Sequence, residues 1–188
     1  MGTQGGLLFR QVLTLADGTR LLLRLLCPED REALLTLYAP VTDAERRLMR
    51  HEVRDPSVVA GWVEGLDYTS VFPLVAIVGE RIVGNATLHF HTGPDRHRAE
   101  VRIFLAKDFR RRGLGSRMLE ALIEVARQKN LCFLEAQIIE DQTRSIHAFH
   151  GLGFETRSVL PDYFAPEEGE LLGVVHLTKR LRSPSEEF

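Results

Sequence analysis

Cysteine, tryptophan and long apolar runs are all scarce in this chain. Its two cysteines, Cys27 and Cys132, stand far apart in apolar surroundings. That excludes a disulfide framework and favours buried thiols over a catalytic pair. No apolar stretch approaches the roughly 18 residues that a membrane-spanning helix needs. The opening Met1-Gly-Thr-Gln-Gly-Gly has neither the charged nor the apolar part of a secretory signal, and Gly6 stands where a myristoylation pattern needs Ser or Thr. The expectation is a cytoplasmic protein with no membrane association.

What is present points to one soluble domain. The chain has 188 residues, 44% hydrophobic and 27% charged, enough for a continuous core over residues 10–182. Residues 1–9 are expected to be a flexible N-terminus and 183–188 a C-terminal tail. Net charge is only −2, but it is unevenly placed: residues 107–117 hold Lys107, Arg110, Arg111, Arg112 and Arg117 against Asp108 alone. Charge focused on one loop differs from the basic stripe of a nucleic-acid binder, so no nucleic-acid partner is expected.

In chain order, Asp17-Gly18 between two apolar runs reads as a two-residue hairpin. Pro28-Glu29-Asp30 starts a helix with Ala33, Leu34, Leu37 and Tyr38 on one face, and Pro40 stops it. Residues 41–70 are rich in charge, with one helix around Pro56 to Leu66 in which Trp62 is expected to anchor the core. Two strands follow, Leu74 to Val78 and Ile82 to Phe90. His89 and His91 fall on one face there, but no third ligand accompanies them, and no metal is expected. After a strand ending near Leu105, the residues Leu114, Met118, Leu119, Leu122, Ile123 and Ala126 recur at helical spacing, and Asn130 suits a left-handed cap. Leu131 to Ile139 is a strand parallel to the one before that helix. Asp141 is expected to cap a further helix bearing Ile146, Phe149 and Leu152. Gly153-Phe154 opens another strand, a loop from Pro161 to Gly169 turns the chain, and Leu171 to Leu177 is the last strand.

The most informative stretch runs from Glu100 to Ser116. An apolar strand enters a basic turn, Gly113 and Gly115 follow, and a helix begins at once. Without Cβ atoms, the two glycines let a ligand lie against the backbone. The N–H groups of the first helical turn have no partner within the helix, and with the helix dipole they suit a phosphate. A P-loop is excluded because no Lys follows the second glycine, and a dinucleotide fingerprint because position 118 is Met118 rather than glycine.

What remains, Arg110-x-x-Gly113-x-Gly115, resembles the acetyl-CoA pyrophosphate loop of the GNAT N-acetyltransferases. The order of elements from Glu100 to Gly153-Phe154 is similar to that family's core. Asp17-Gly18, Pro28-Glu29-Asp30 and Ala99-Glu100-Val101 are closest in feel to the GNAT domains of bacterial protein-lysine acetyltransferases. The resemblance implies a mixed α/β fold, a twisted sheet of about six or seven strands flanked by about four helices, splayed between the fourth and fifth strands. It implies that acetyl-CoA is a cosubstrate and that its acetyl group passes to a primary amine, of a protein lysine or a small molecule, by direct attack in a ternary complex. The backbone of Phe104 and Leu105 is then expected to pair with the pantetheine arm. The N–H groups across Arg111, Arg112, Gly113, Leu114, Gly115 and Ser116 are expected to hold the pyrophosphate, with Arg110, Arg111 or Arg112 adding charge.

An alkylammonium, with pKa near 10.4, must lose a proton before it attacks. The resemblance makes Glu100 the base, and a partly buried carboxylate there is expected to have a raised pKa; pairing with Arg102 or Arg98 is the other reading of that residue. Two positions depart from the family pattern: Phe149 stands where many members have a proton-donating Tyr, and Gln142 where the family has Asn. His147, His150 and Tyr163 are weaker candidates for the acid. These departures motivate one alternative, an acyl-CoA binding or sensing module without turnover; a second alternative, an enzyme acting on protein N-termini, uses the same core with a narrower acceptor cleft. A homodimer is implied only by analogy with the family.

Overall fold

Leu21 and Leu23 are buried while Arg20, Leu22 and Arg24 are not, the alternation of a strand with one face on a core. This strand, β2 (Arg20–Leu25), pairs antiparallel with β1 (Arg10–Thr14). Asp17-Gly18 does close a hairpin, but through three residues, Ala16, Asp17 and Gly18, rather than two. The Leu15 N–H donates to the Thr19 carbonyl at 2.9 Å, and Gly18 takes a φ of +85°, which glycine adopts without strain. The computed structural model describes residues 9–166 and 169–182, so the expectations for residues 1–8 and 183–188 lie outside the described residues. Phe9 packs edge-on against Phe72.

A 3₁₀ turn over Pro28–Asp30 leads into α1 (Arg31–Tyr38), which buries Leu34, Leu37 and Tyr38. The charged stretch beyond it holds a short helix the sequence did not disclose, α2 (Asp43–Arg46). Its capping box is reciprocal: the Glu45 N–H donates to Thr42 Oγ1, and the Glu45 carboxylate accepts from the Thr42 N–H. Helix α3 (Pro56–Glu64) starts on its proline, is capped by Asp55 and buries Val59, Ala60 and Val63. Trp62 is half-buried, edge-on to Tyr38 and to His51.

Strands β3 (Val71–Val78), β4 (Arg81–Phe90) and β5 (Arg98–Leu105) form an antiparallel meander. Helix α4 (Leu114–Gln128) follows, and Asn130 ends it at a φ of +62°. Then come β6 (Phe133–Ile139), α5 (Thr143–Gly151), β7 (Glu155–Phe164) and β8 (Leu172–Arg180). Two boundaries differ from expectation. Gln142, not Asp141, is the residue before α5, and it makes no side-chain cap. Strand β7 continues through Pro161 to Phe164, so the return loop starts later.

The sheet order is β1-β2-β3-β4-β5-β6-β8-β7. The described residues form eight strands and five α-helices, against the six or seven strands and four helices that the resemblance implies; the expected hairpin places β1 at one edge of the sheet, and the capping box makes α2. Counted with β1, the splay lies between the fifth and sixth strands of this chain. Alternate residues of β5 serve opposite faces: Phe104 stacks on Tyr38 of α1 at 4.7 Å, while Leu105 faces Gly115 of α4. No helix among the described residues is long and apolar enough to cross a membrane.

Candidate active site

Strands β5 and β6 run parallel but pair at only three positions, from Arg98↔Phe133 to Glu100↔Glu135. Beyond Glu100 they part. Which backbone groups face the opening follows from the β4–β5 register. The bonds His91 N–H to Arg98 carbonyl and Ala106 N–H to Val83 carbonyl mark the hydrogen-bonded pairs, and the Asn85↔Phe104 pair shares their register. Phe104 therefore directs its N–H and carbonyl to β4. Val101, Ile103 and Leu105 direct theirs into the splay. Phe104, expected with Leu105 to pair with the arm, thus faces β4, and the edge that borders the splay is that of Ile103 and Leu105. Parity along the strand, which needs one observed bond to fix it, is the signal that was missing. The Leu105 carbonyl already accepts from Arg110 Nε at 3.0 Å, which leaves its N–H and both groups of Ile103 without a partner among the described residues.

The glycine loop stands at the wide end of this opening. Gly113 has a φ of +81°, and a Cβ built there meets nothing within 4 Å, so the space over the helix start is open. The first bond of α4 is given by the Arg117 N–H to the Gly113 carbonyl, so the amides of Leu114, Gly115 and Ser116 precede the helical ladder. Gly115 serves packing: a Cβ there would lie 3.3 Å from Leu105 Cδ1. The missing side chain seats the helix start directly on β5. Leu114 is fully buried, so only its backbone can serve a ligand.

The three arginines differ. Arg112 donates to Asp17 and Thr19 of the hairpin, both at 2.6 Å, and lies over the Phe109 ring. Arg110 donates to Glu45 of α2 at 2.7 Å, and Lys107 pairs with the same carboxylate. Glu45 is drawn down to about 2: burial opposes this, but the Thr42 amide and the Arg110, Thr42 and Lys107 side chains outweigh it. Arg111 is exposed, takes a φ of +61° and has no side-chain partner among the described residues. It is the arginine best placed to meet a phosphate without first breaking an ion pair.

Glu100 is half-buried at the point where the strands part. Arg102 donates to both of its oxygens at 3.2 and 3.0 Å, and Arg50 reaches it at 3.8 Å. Burial would push its carboxyl up, but these bonds and the charges of Arg102 and Arg50 prevail and hold it below the ordinary value. The expected raised pKa is therefore corrected, because the arginines outweigh desolvation. The Arg102 pairing is realised, whereas Arg98 pairs with Glu135 and Asp95. Opposite Glu100 on β4, His89 is pushed down to about 4 by burial, then by Arg102, and its Nε2 is 2.9 Å from Thr87 Oγ1. His51, against Arg102, is also lowered by burial and by the charges of Arg102 and Arg50.

Phe149 is buried, edge-on to Phe154 in the core. Gln142 is half-buried at the start of α5. His147 and His150 are exposed, His150 facing Thr156 Oγ1, and Tyr163 is exposed on β7. Cys27 and Cys132 are half-buried rather than buried, and burial followed by the Asp30 hydrogen bond pushes the Cys27 thiol up to about 11. Among the described residues, no group of three or more His, Cys, Asp or Glu could hold a metal.

The model of the acetyltransferase (GNAT) family matches residues 32–154. Among solved structures, a ribosomal-protein-alanine N-acetyltransferase from Brucella melitensis is 26% identical, with a TM-score of 0.74 over 85% of this chain and 99% of that one. The GNAT domain of PAT from S. lividans is 19% identical, with a TM-score of 0.75 over 92% of this chain and 97% of that one. A putative acetyltransferase from Salmonella typhimurium, yncA, solved with its cofactor acetyl-CoA, is 19% identical, with a TM-score of 0.73 over 88% and 96% of the two chains. These last two are likenesses of fold. No curated protein matches the chain in sequence.

Proposed function

The chain belongs to the GNAT acetyltransferase family, and from that premise we propose that it transfers an acetyl group from acetyl-CoA to a primary amine, of a protein lysine or a small molecule. The observation that carries this reading is the meeting of two features at Leu105. Its side chain packs against Gly115 at the start of α4, and its backbone edge borders the splay. A ligand with an anionic end and an amide-bearing arm fits that junction: free amides over an open Gly113 for the diphosphate, and an unpaired strand edge for the arm.

Bound there, acetyl-CoA supplies a thioester whose carbonyl carbon an amine nitrogen attacks, so that a C–N bond forms, the C–S bond breaks and the leaving thiolate takes up a proton. The chain's own residues do the rest. The N–H groups from Arg111 to Ser116 hold the diphosphate, and Arg111 adds charge. Ile103 and Leu105 orient the arm. Glu100, ionised at neutral pH, receives the acceptor's ammonium and takes its proton directly or through water. Phe149 has no O–H to give, so solvent is the source of the proton for a thiolate whose thiol has a pKa of roughly 8.5.

A second reading, binding of acyl-CoA without turnover, is favoured by Phe149 and by the two arginines that tie Glu100. One assay separates the readings. Purified protein is given acetyl-CoA and a panel of amines, and free thiol and acetylated product are followed together with coenzyme A affinity. Stoichiometric thiol and product support transfer. Tight coenzyme A binding without either supports the silent module.

A further inference from the structure

The charges around Glu100 do not balance. Arg102 and Arg50 both converge on this one carboxylate. Glu135, the next acid along the sheet, is engaged by Arg98, and His51 and His89 are both held towards their neutral forms. Arg50 makes its shorter contact with the neutral side-chain oxygen of Gln137. It also lines a cavity of about 170 Å³ whose walls include Arg46, Arg47, Glu52 and Phe164. In that wall Arg46 pairs with Glu52, while exposed Arg47 has no carboxylate partner among the described residues. A carboxylate beside a surplus of guanidinium, next to a small cavity, complements an amine that carries an anion of its own.

We propose that the acceptor is an amino-carboxylate: Arg50, with Arg102 and Arg47, holds its carboxylate while Glu100 receives its ammonium. This rests on the transferase reading above and names its substrate class. The carboxylate belongs either to a free amino acid or to an acidic residue beside the reacting amine of a peptide. The cavity is smaller than the roughly 300–1,000 Å³ of sites for drug-sized ligands, in keeping with a group of amino-acid size. Arrival of a second carboxylate also frees Glu100. It competes for the two guanidiniums and repels the Glu100 charge, and both effects raise the proton affinity of Glu100 as the amine arrives.

The test compares amino acids with their α-carboxamides, and short peptides having Glu or Gln beside the amine, as acceptors with acetyl-CoA. The wild type is expected to favour the carboxylate member of a pair by on the order of 10- to 100-fold in kcat/KM, the effect of one charge-assisted bidentate contact. In Arg50→Gln that preference shrinks towards unity, mainly through KM, and Arg50→Lys regains part of it. Preference among free amino acids identifies the small-molecule source, and preference among peptides alone identifies the peptide source. Thiol release that is blind to the carboxylate, or a preference unchanged in Arg50→Gln, overturns the inference alone. No thiol release with any amine overturns the transferase reading and the inference with it.

Discussion

The Glu45 carboxylate of α2 lies 2.7 Å from the Arg110 guanidinium, across 65 residues of sequence, and also takes the charge of Lys107. An internal anion thus holds Arg110, one of the arginines expected to serve a phosphate, together with its neighbour Lys107. Glu45→Gln should tighten coenzyme A binding by about three- to tenfold, the effect of releasing a partly exposed ion pair worth about 1 kcal/mol. The gain should shrink at high salt. Calorimetry at two ionic strengths checks it, and weaker binding by the variant would count against the arrangement.

Arg111 takes a left-handed conformation that costs a non-glycine residue roughly 1–2 kcal/mol. Arg111→Gly is expected to raise stability by up to about 1 kcal/mol, part of the relief being offset by the freer unfolded chain. It should at the same time weaken coenzyme A binding several-fold. Urea unfolding and a binding titration on the same variant test both halves.

Gly84 and Gly115 are the close approaches between α4 and the sheet. A Cβ at Gly84 would lie 2.8 Å from Met118 Sδ and 2.9 Å from Leu105 Cδ2. Gly84→Ala should cost about 1–3 kcal/mol as an overpacked core. Gly115→Ala meets only Leu105 Cδ1 at 3.3 Å and should cost less stability, while displacing the helix start enough to weaken coenzyme A binding. Thermal unfolding beside a coenzyme A titration separates the two, and equal effects of both variants on binding would contradict it.

His89 gives stability a pH dependence whose sign is set by burial. Its folded pKa is about 4 against an ordinary 6.5, so between those values the unfolded chain binds the extra proton. Stability from this group is complete above pH 6.5 and falls as pH drops towards 4. In His89→Gln the loss between pH 6.5 and 4.5 should be smaller than in the wild type, as read by urea unfolding at the two values. Glu45 acts lower: its stabilisation is full above pH 4.5 and lost as pH falls towards 2.

Local signals were legible in the sequence and distant ones were not. Gly113, Gly115 and the stripe from Leu114 to Ala126 announce a loop and helix because turn chemistry and periodicity act within a few residues. Asn130 marks its own left-handed cap for the same reason. The partners of the loop arginines could not be read this way, since Arg112 finds Asp17 and Arg110 finds Glu45 through the fold. The Glu100 pKa departs from expectation because its partial burial shows in the strand pattern, whereas the grip of Arg102 on both oxygens and the approach of Arg50, from the segment between α2 and α3, are set by the fold. Helix α2 stayed hidden because four residues carry no periodicity, although Thr42 and Glu45 spell its capping box.

Coenzyme A is expected to bind at the junction of the open β5 edge with the amides ahead of α4. A crystal of the protein soaked with coenzyme A tests it directly. The expected result is a diphosphate against the N–H groups of Leu114, Gly115 and Ser116, with the arm paired to the backbone of Ile103 and Leu105. Coenzyme A bound elsewhere, or an arm paired to Phe104 instead, would contradict it.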